Sequence, residues 1–396
     1  MWRKAALAYL GLAWMAASFA ADWEGFRRGK DDFIPVYVAA RSVGRPALHD
    51  QATYYRFMIE RFGEVTRYGD RPENALRFIR PPAYALLLWP FGLFDYPTAH
   101  GLWLAARIAA LGVFVWLWPA ERRLDALVAL SLSAAALAGL LYGQDAAFLL
   151  AAVAAARRWE SRGRGFAAGA ALSCGAIGFH LFALVPLALL AQRRFDILRG
   201  LAAGAAVWVA ACFPAGGWDW IAAYWGNLTD GAAHPGAAIM PNLHGLLDGA
   251  PGAFELEVAA AVGAAALVWA ASRRGDFADA LSVALPAGLL ISYHAYLANF
   301  LVILPAMLIR LERPQPPWRR IFTWALLAPP AGFLLLAGRP YSYGFQLALV
   351  VWFAATAAAL LAEPVPAGYS PTRRGTSGWV ASTLRRSSSV TSRPSS

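Results

Sequence analysis

Long apolar runs, each followed by a short polar stretch that is usually basic, repeat over most of the chain. The runs are continuous, whereas a transmembrane barrel would alternate apolar and polar residues, so helices are expected. No water reaches a bilayer core, and a helix closes its own backbone hydrogen bonds there. The pattern predicts helices over 5–21, 97–118, 125–141, 146–157, 165–179, 181–192, 198–213, 252–271, 278–292, 295–310, 320–338 and 344–361. Several are shorter than the roughly twenty residues needed to cross. Those are expected inside the bundle or beside a cavity, where lipid is not the neighbour. The predicted fold class is all-α, a polytopic membrane bundle of about twelve transmembrane helices.

Residues 22–82 depart from this pattern. They are polar and charged, and read as one large extracytoplasmic loop after the first helix. Within them Asp32–Arg45 is expected to be helical, with Phe33, Val36, Tyr37 and Ala40 on one face, and 51–62 is a second amphipathic helix. Arg80-Pro81-Pro82 breaks the chain before Ala83–Leu93, which is too short to span and reads as re-entrant or interfacial. Residues 1–363 are thus one membrane domain, and 364–396, rich in Ser, Thr, Arg and Pro, a disordered cytoplasmic tail.

Composition sharpens the class. Hydrophobic residues make up 59% and charged residues 15%, with a mean hydropathy of +0.45, against about 45–50% and about 25% in soluble domains. The 17 Trp and 14 Tyr suit anchoring at the membrane interface. The net charge of +11 does not call for nucleic acid, because Lys and Arg sit between the apolar runs. They mark the cytoplasmic side: Arg3-Lys4, Arg122-Arg123, Arg157–Arg164, Arg193–Arg199, Arg273-Arg274, Arg310–Arg320 and the tail. Gly143–Asp145, Phe179-His180, Pro214–Pro251, Tyr293-His294 and Arg339–Tyr343 fall on the other side, and both termini inside. The first loop is basic from Arg27 to Arg80 yet is placed outside, as long loops translocate largely regardless of charge. The first run, after Met1-Trp2-Arg3-Lys4, has the form of a signal peptide but is read as a retained helix. Cys174 and Cys212 lie in apolar runs and form no redox or metal motif.

Four polar elements converge on the outer side in this topology. They are Asp31-Asp32; Tyr142-Gly143-Gln144-Asp145; the loop carrying His234, Asn242 and His244; and Ser292-Tyr293-His294. Any single one reads most simply as a satisfied helix end. Several ionisable groups at one membrane face point to function. Arg80, beside two prolines, suits phosphate because a guanidinium can donate two parallel hydrogen bonds. No dinucleotide, P-loop or zinc-protease motif occurs, so an activated substrate from the membrane is expected, with no cofactor and no metal.

The order of motifs completes the reading. A first helix leads to DF-x-x-x-Y-x-A-A-R (Asp32, Tyr37, Arg41), then R-PP, YGQDAAFLL, MPNLHGLL and SYHAYLANFLVILP. This resembles the glycosyltransferase family 87 membrane enzymes of the GT-C superfamily, over residues 5–360. The resemblance implies a hexosyl-, specifically mannosyltransferase that takes its sugar from a polyprenyl-phosphate donor. It implies a lipid or glycan acceptor, membrane lipids as neighbours, and the outer face of the bacterial inner membrane. It implies Asp32 as the general base, with Gln144, Asp145 and His294 matching family elements. Asp31, Tyr37, Arg41, Arg80, His180, Asn242 and His244 complete the expected substrate-binding set. The chain departs from the family pattern in having Asp31 beside Asp32, and Gly178-Phe179-His180 where relatives often carry a lysine. The alternative is a multi-pass transporter or flippase for a lipid-linked sugar, since mid-membrane polar groups suit transporters. Against it, the apolar pattern shows no clear internal two-fold repeat.

Overall fold

The computed structural model describes residues 2–45, 48–65, 71–72, 75–229 and 236–362, and these are helical or loop throughout, without strands. The first half comprises α1 (Trp2–Ala21), α2 (Trp23–Arg28), α3 (Phe33–Arg41), α4 (Gln51–Phe62), α5 (Pro82–Leu88), α6 (Tyr96–Leu117), α7 (Arg123–Ser131), α8 (Ala134–Leu141), α9 (Ala146–Glu160) and α10 (Gly165–Leu172). The second comprises α11 (Val185–Ala191), α12 (Phe195–Gly216), α13 (Trp220–Thr229), α14 (Leu243–Leu247), α15 (Ala253–Ser272), α16 (Phe277–Ile291), α17 (Leu304–Glu312), α18 (Pro317–Leu327), α19 (Pro329–Leu336) and α20 (Tyr341–Ala362).

Among the described residues, six helical stretches are long and apolar enough to cross a membrane: Trp2–Ala21, Tyr96–Leu117, Gly165–Phe182, Phe195–Gly216, Ala253–Ser272 and Tyr341–Ala362. A seventh crossing is possible only if α7 and α8, bent by 65°, count as one span. Twelve separate full-length crossings are therefore not seen, and the reasons are local. The expected helix 125–141 breaks where the buried Ser133 hydroxyl caps α8 by accepting from Ala136 N at 3.3 Å. The chain from 173 to 182 is a 3-10 segment that Gly178 interrupts at φ −132°, ψ 60°. Residues 297–303 also wind as a 3-10 turn, fixed at its start by Tyr296 N donating to Asn299 Oδ1 at 2.8 Å. The expected 320–338 helix splits before Pro329-Pro330, residues that lack the N–H a continuing helix needs.

The described residues of 22–82 carry short helices rather than a bare loop. The α4 helix has the bounds expected of it, opened by Asp50, which accepts from Ala52 N at 3.1 Å, and closed by Gly63 at φ 72°. The α3 helix is shorter than expected and buried along almost its whole length. Ala83–Leu93 becomes α5 and a 3-10 turn, too short to span. The polar stretch 214–251, expected as loop, carries α13 and α14.

The core centres on α9, α16 and the 297–310 segment, which bury nearly every apolar side chain. Small residues let helices meet backbone to backbone. A Cβ at Gly169 would lie 1.9 Å from Ile197 O, and one at Gly200 1.9 Å from Phe166 O, so α10 and α12 touch where no side chain fits.

The bundle has two chemically different ends, about 33 Å apart along the 22-residue α6 at ~1.5 Å per residue. At one end, Glu312 binds Arg157 at 2.5 Å and accepts from Trp118 Nε1 at 3.1 Å. Lys4–Asp125, Arg194–Glu160 and Arg313–Asp276 pairs ring the same end. The first turns of α6 mark the other end, where α3, α5 and the α8–α9 turn meet.

Candidate active site

At that end α3 opens with the two adjacent carboxylates. Asp31 Oδ1 accepts from Phe33 N at 2.9 Å, which caps the helix, and its Oδ2 lies 2.9 Å from His100 Nε2. Those two side chains are only 7% and 6% exposed, so Asp31 does not face solvent. Asp32 N donates to Tyr142 O at 3.2 Å, and its carboxylate accepts from the Gln144 amide. Each carboxylate thus has its own partner, from a different helix or turn.

Gly143 makes this approach possible. Its φ is +72°, and a Cβ there would sit 2.8 Å from Phe33 N and 2.9 Å from Asp31 Cγ. Only glycine meets both conditions. The turn is held from behind by α6: Trp103 Nε1 donates to Gly143 O at 2.8 Å, and Arg107 Nη1 to Gly139 O at 2.6 Å and Leu140 O at 3.0 Å. The Arg107 bonds satisfy carbonyls at the C-terminal end of α8, where a helix leaves acceptors without partners. Trp103 also stacks on Phe33, with ring centroids 5.4 Å apart. His100, Trp103 and Arg107 recur at helical spacing on one stripe of α6, and that stripe positions both the Asp31-Asp32 and the Gly143-Gln144-Asp145 elements.

Arg80 and Asp145 form the third pair. Arg80 Nε lies 2.8 Å from Asp145 Oδ2, and its Nη2 3.1 Å from Oδ1. The side chains are 15% and 5% exposed. Burial opposes the Arg80 charge, but Asp145 outweighs it and holds the guanidinium above its usual range. Asp32 moves more consequentially. Burial, then the neighbouring Asp31 charge, raise its carboxyl to about 7, against the pull of the Gln144 bond and Arg80. A carboxylate so placed can take a proton from a hydroxyl near neutral pH.

The remaining expected site residues fall into other places. Tyr37 donates to Phe94 O at 2.9 Å, and Arg41 Nη1 reaches the Tyr37 hydroxyl at 3.4 Å, tying α3 to the turn before α6. Asn242 caps α14, accepting from Gly245 N at 2.8 Å while its Nδ2 donates to Ser292 O at 2.7 Å. His244 lies 3.0 Å from Glu257 and packs on Tyr293, with centroids 4.5 Å apart. The His294 ring meets Tyr296 edge-on at 4.7 Å. His180 sits in the 173–182 segment against Phe179. So Asp31, Asp32, Arg80, Gln144 and Asp145 come together. Asn242 and His244 instead join the loop before α15 to the residues after α16. His234 and the tail 364–396 lie outside the described residues. Sequence reasoning missed His100, Trp103 and Arg107. Their signal was a histidine and an arginine inside an apolar 22-residue helix, where ionisable residues are costly unless they serve a purpose.

The model of glycosyltransferase family 87 matches residues 78–305, more than half of the chain. The chain belongs to glycosyltransferase family 87. The match covers Arg80, His100, Gln144 and Asp145, and begins after the α3 carboxylates. Comparison with curated proteins and with solved structures found no match. Family 87 membership makes this helical protein a membrane glycosyltransferase, with a sugar donor and an acceptor as its substrates.

Proposed function

We propose that the protein transfers a hexose, specifically mannose, from a polyprenyl-phosphate donor to a lipid or glycan acceptor, with inversion, on the outer face of a bacterial inner membrane. The observation that carries this is the Asp32 carboxylate, raised to about 7 and bonded to Gln144. It lies at the end of the bundle opposite the one ringed by Lys4, Arg157, Arg194 and Arg313. Basic residues favour the cytoplasmic side, so the carboxylate pair faces outward.

In the reaction, the acceptor hydroxyl attacks the anomeric carbon from the face opposite the phosphate. Its proton passes to Asp32 as the new C–O bond forms. The bond from the anomeric carbon to the phosphate oxygen breaks, and its electron pair leaves on the lipid phosphate. Asp32 then returns the proton to water. Asp31, held by His100, keeps a second negative charge beside Asp32 and so sustains its basicity. Arg80 and Asp145 form a fixed wall next to this pair, and the Nη1 of Arg80 is the part of the fork turned away from Asp145's two bonds.

The test is incubation of purified protein in vesicles with radiolabelled polyprenyl-phosphate mannose and membrane extract. Label should move to a new lipid or polymer with wild type and not with Asp32→Asn. Label that only crosses the bilayer, with the donor intact, would make the protein a flippase.

A further inference from the structure

Arg80 commits the Nε–Nη2 edge of its fork to Asp145, so an anionic group arriving beside it needs other donors. Two stand on α13. Trp220 is 8% exposed, and its indole Nε1 is buried; the Tyr224 hydroxyl, one helical turn later, is buried too. Among the described residues, neither atom has a hydrogen-bond partner. Buried polar atoms in folded proteins nearly always have one, so two orphaned donors a turn apart mark a place where an acceptor belongs.

Their position is set by close packing against α5. Trp220 packs on Ala83 and Cys212, with Tyr224 alongside. Ala83 N donates to Cys212 Sγ at 3.4 Å, and a Cβ at Gly216 would lie 2.8 Å from Pro82 Cγ, so the end of α12 presses on the first turn of α5. Arg80 stands just before that turn, and Tyr224 lies within its electrostatic reach. Burial pushes the Tyr224 phenol up to about 12 while Arg80 pulls it down, so it remains a protonated donor at neutral pH. An indole N–H can only donate. The adjacent face of α13 is apolar and open, with Ile221 and Trp225 58% and 64% exposed, and Trp218 just before the helix is 85% exposed.

We propose that Trp220 and Tyr224 form a donor subsite for the phosphate of an amphiphilic phosphate ester, whose hydrocarbon chain lies along the apolar outer face of α13. Donors without acceptors, beside a cation, suit a group that offers several acceptor oxygens. The apolar helix face next to them suits a chain in the membrane rather than a soluble phosphate. This subsite rests on the lipid-phosphate donor reading above and adds the residues that hold the phosphate.

The experiment uses the full-length protein in neutral-lipid nanodiscs, with binding of radiolabelled farnesyl phosphate as the readout. Farnesol, inorganic phosphate and phosphatidylglycerol serve as competitors. Wild type should bind farnesyl phosphate, and none of the three competitors should displace it at equal concentration. Tyr224→Phe should weaken binding about tenfold, the loss of one hydrogen bond to a charged group, and Trp220→Phe comparably. In transfer assays both variants should raise the donor KM and leave the acceptor KM unchanged. Unaltered affinity in both variants, with wild type binding, would overturn the subsite and leave the donor reading standing. Absence of wild-type binding would overturn both. Displacement by inorganic phosphate or phosphatidylglycerol at equal concentration would refute the lipid-linked phosphate as the occupant.

Discussion

The proton affinity of Asp32 makes the most exposed prediction. A general base works only when ionised, and a carboxyl raised to about 7 is about one-tenth ionised at pH 6 and about one-hundredth at pH 5. Below pH 7, kcat/KM should therefore rise about tenfold per pH unit, and level off near pH 8. The causes of the shift predict how variants move that midpoint. Asp31→Asn removes the like charge and should move it to lower pH. Gln144→Leu removes the bond that favours the ionised form and should move it to higher pH. Stability changes in the opposite sense to activity. A carboxyl with a raised folded value holds its proton more tightly in the native than in the unfolded state, so stability falls as pH climbs from about 4 to about 7. The displacement from 3.8 to about 7 corresponds to about 4 kcal/mol at ~1.4 kcal/mol per pH unit. Asp32→Asn should thus melt above wild type at pH 8 and near it at pH 4.5, while its transfer rate drops at least about 10²-fold. Initial rates with labelled donor from pH 5 to 9, and thermal melts in detergent at the two pH values, test this. A flat rate profile across pH 5.5–8.5, or midpoints moving the same way in both variants, would refute the assignment of Asp32 as the base.

Three further outcomes are expected. Arg80→Ala should cost about 3–5 kcal/mol by leaving the buried Asp145 carboxylate unpaired, and the double variant with Asp145→Asn should cost less than the two singles combined; additive melts would deny the pairing. Gly143→Ala, whose Cβ would meet Phe33 N and Asp31 Cγ at 2.8 and 2.9 Å, should lose most activity while remaining inserted and folded by size-exclusion chromatography; normal turnover would show that the close approach is dispensable. In intact cells, an impermeant thiol reagent should label Ala52→Cys and not Ser161→Cys, and the reverse pattern would invert the proposed orientation.

Much of the architecture was legible in the chain. The ends of α1, α6, α12, α15 and α20 lie within a few residues of the apolar runs that predict them, because such runs have one stable conformation in a bilayer. The α4 helix was legible from its amphipathic pattern, and the structure adds Asp50 and Gly63 as its caps. The break at Gly178 was legible to within a residue, between the expected helices 165–179 and 181–192. Those at Ser133 and Ala328 fell inside single expected helices, since an apolar run looks much the same whether it continues or kinks. Of the short helices that result, α7 and α8 sit largely among neighbours while α18 and α19 keep Ile321, Phe333 and Leu334 exposed, so hydropathy does not distinguish the two cases.

The sequence by itself determined the class of the protein. Apolar content and the placement of basic residues require a membrane bundle, and the spacing of DF, RPP, YGQD and the later motifs carries the likeness to family 87. It also picked out Asp31, Asp32, Arg80, Gln144 and Asp145 as candidates, but not the His100, Trp103 and Arg107 stripe that positions them. Only the tertiary structure decided which of them belong together. It put Gln144 on Asp32, His100 on Asp31 and Arg80 on Asp145, partners 112, 69 and 65 residues apart in sequence. It also sent Asn242 and His244 to a different junction. The physical reason is that hydropathy reports each helix's preference for lipid. The approach of α3 to the α8–α9 turn depends instead on a glycine with positive φ and on three side chains of α6, and those contacts exist only once the helices have packed.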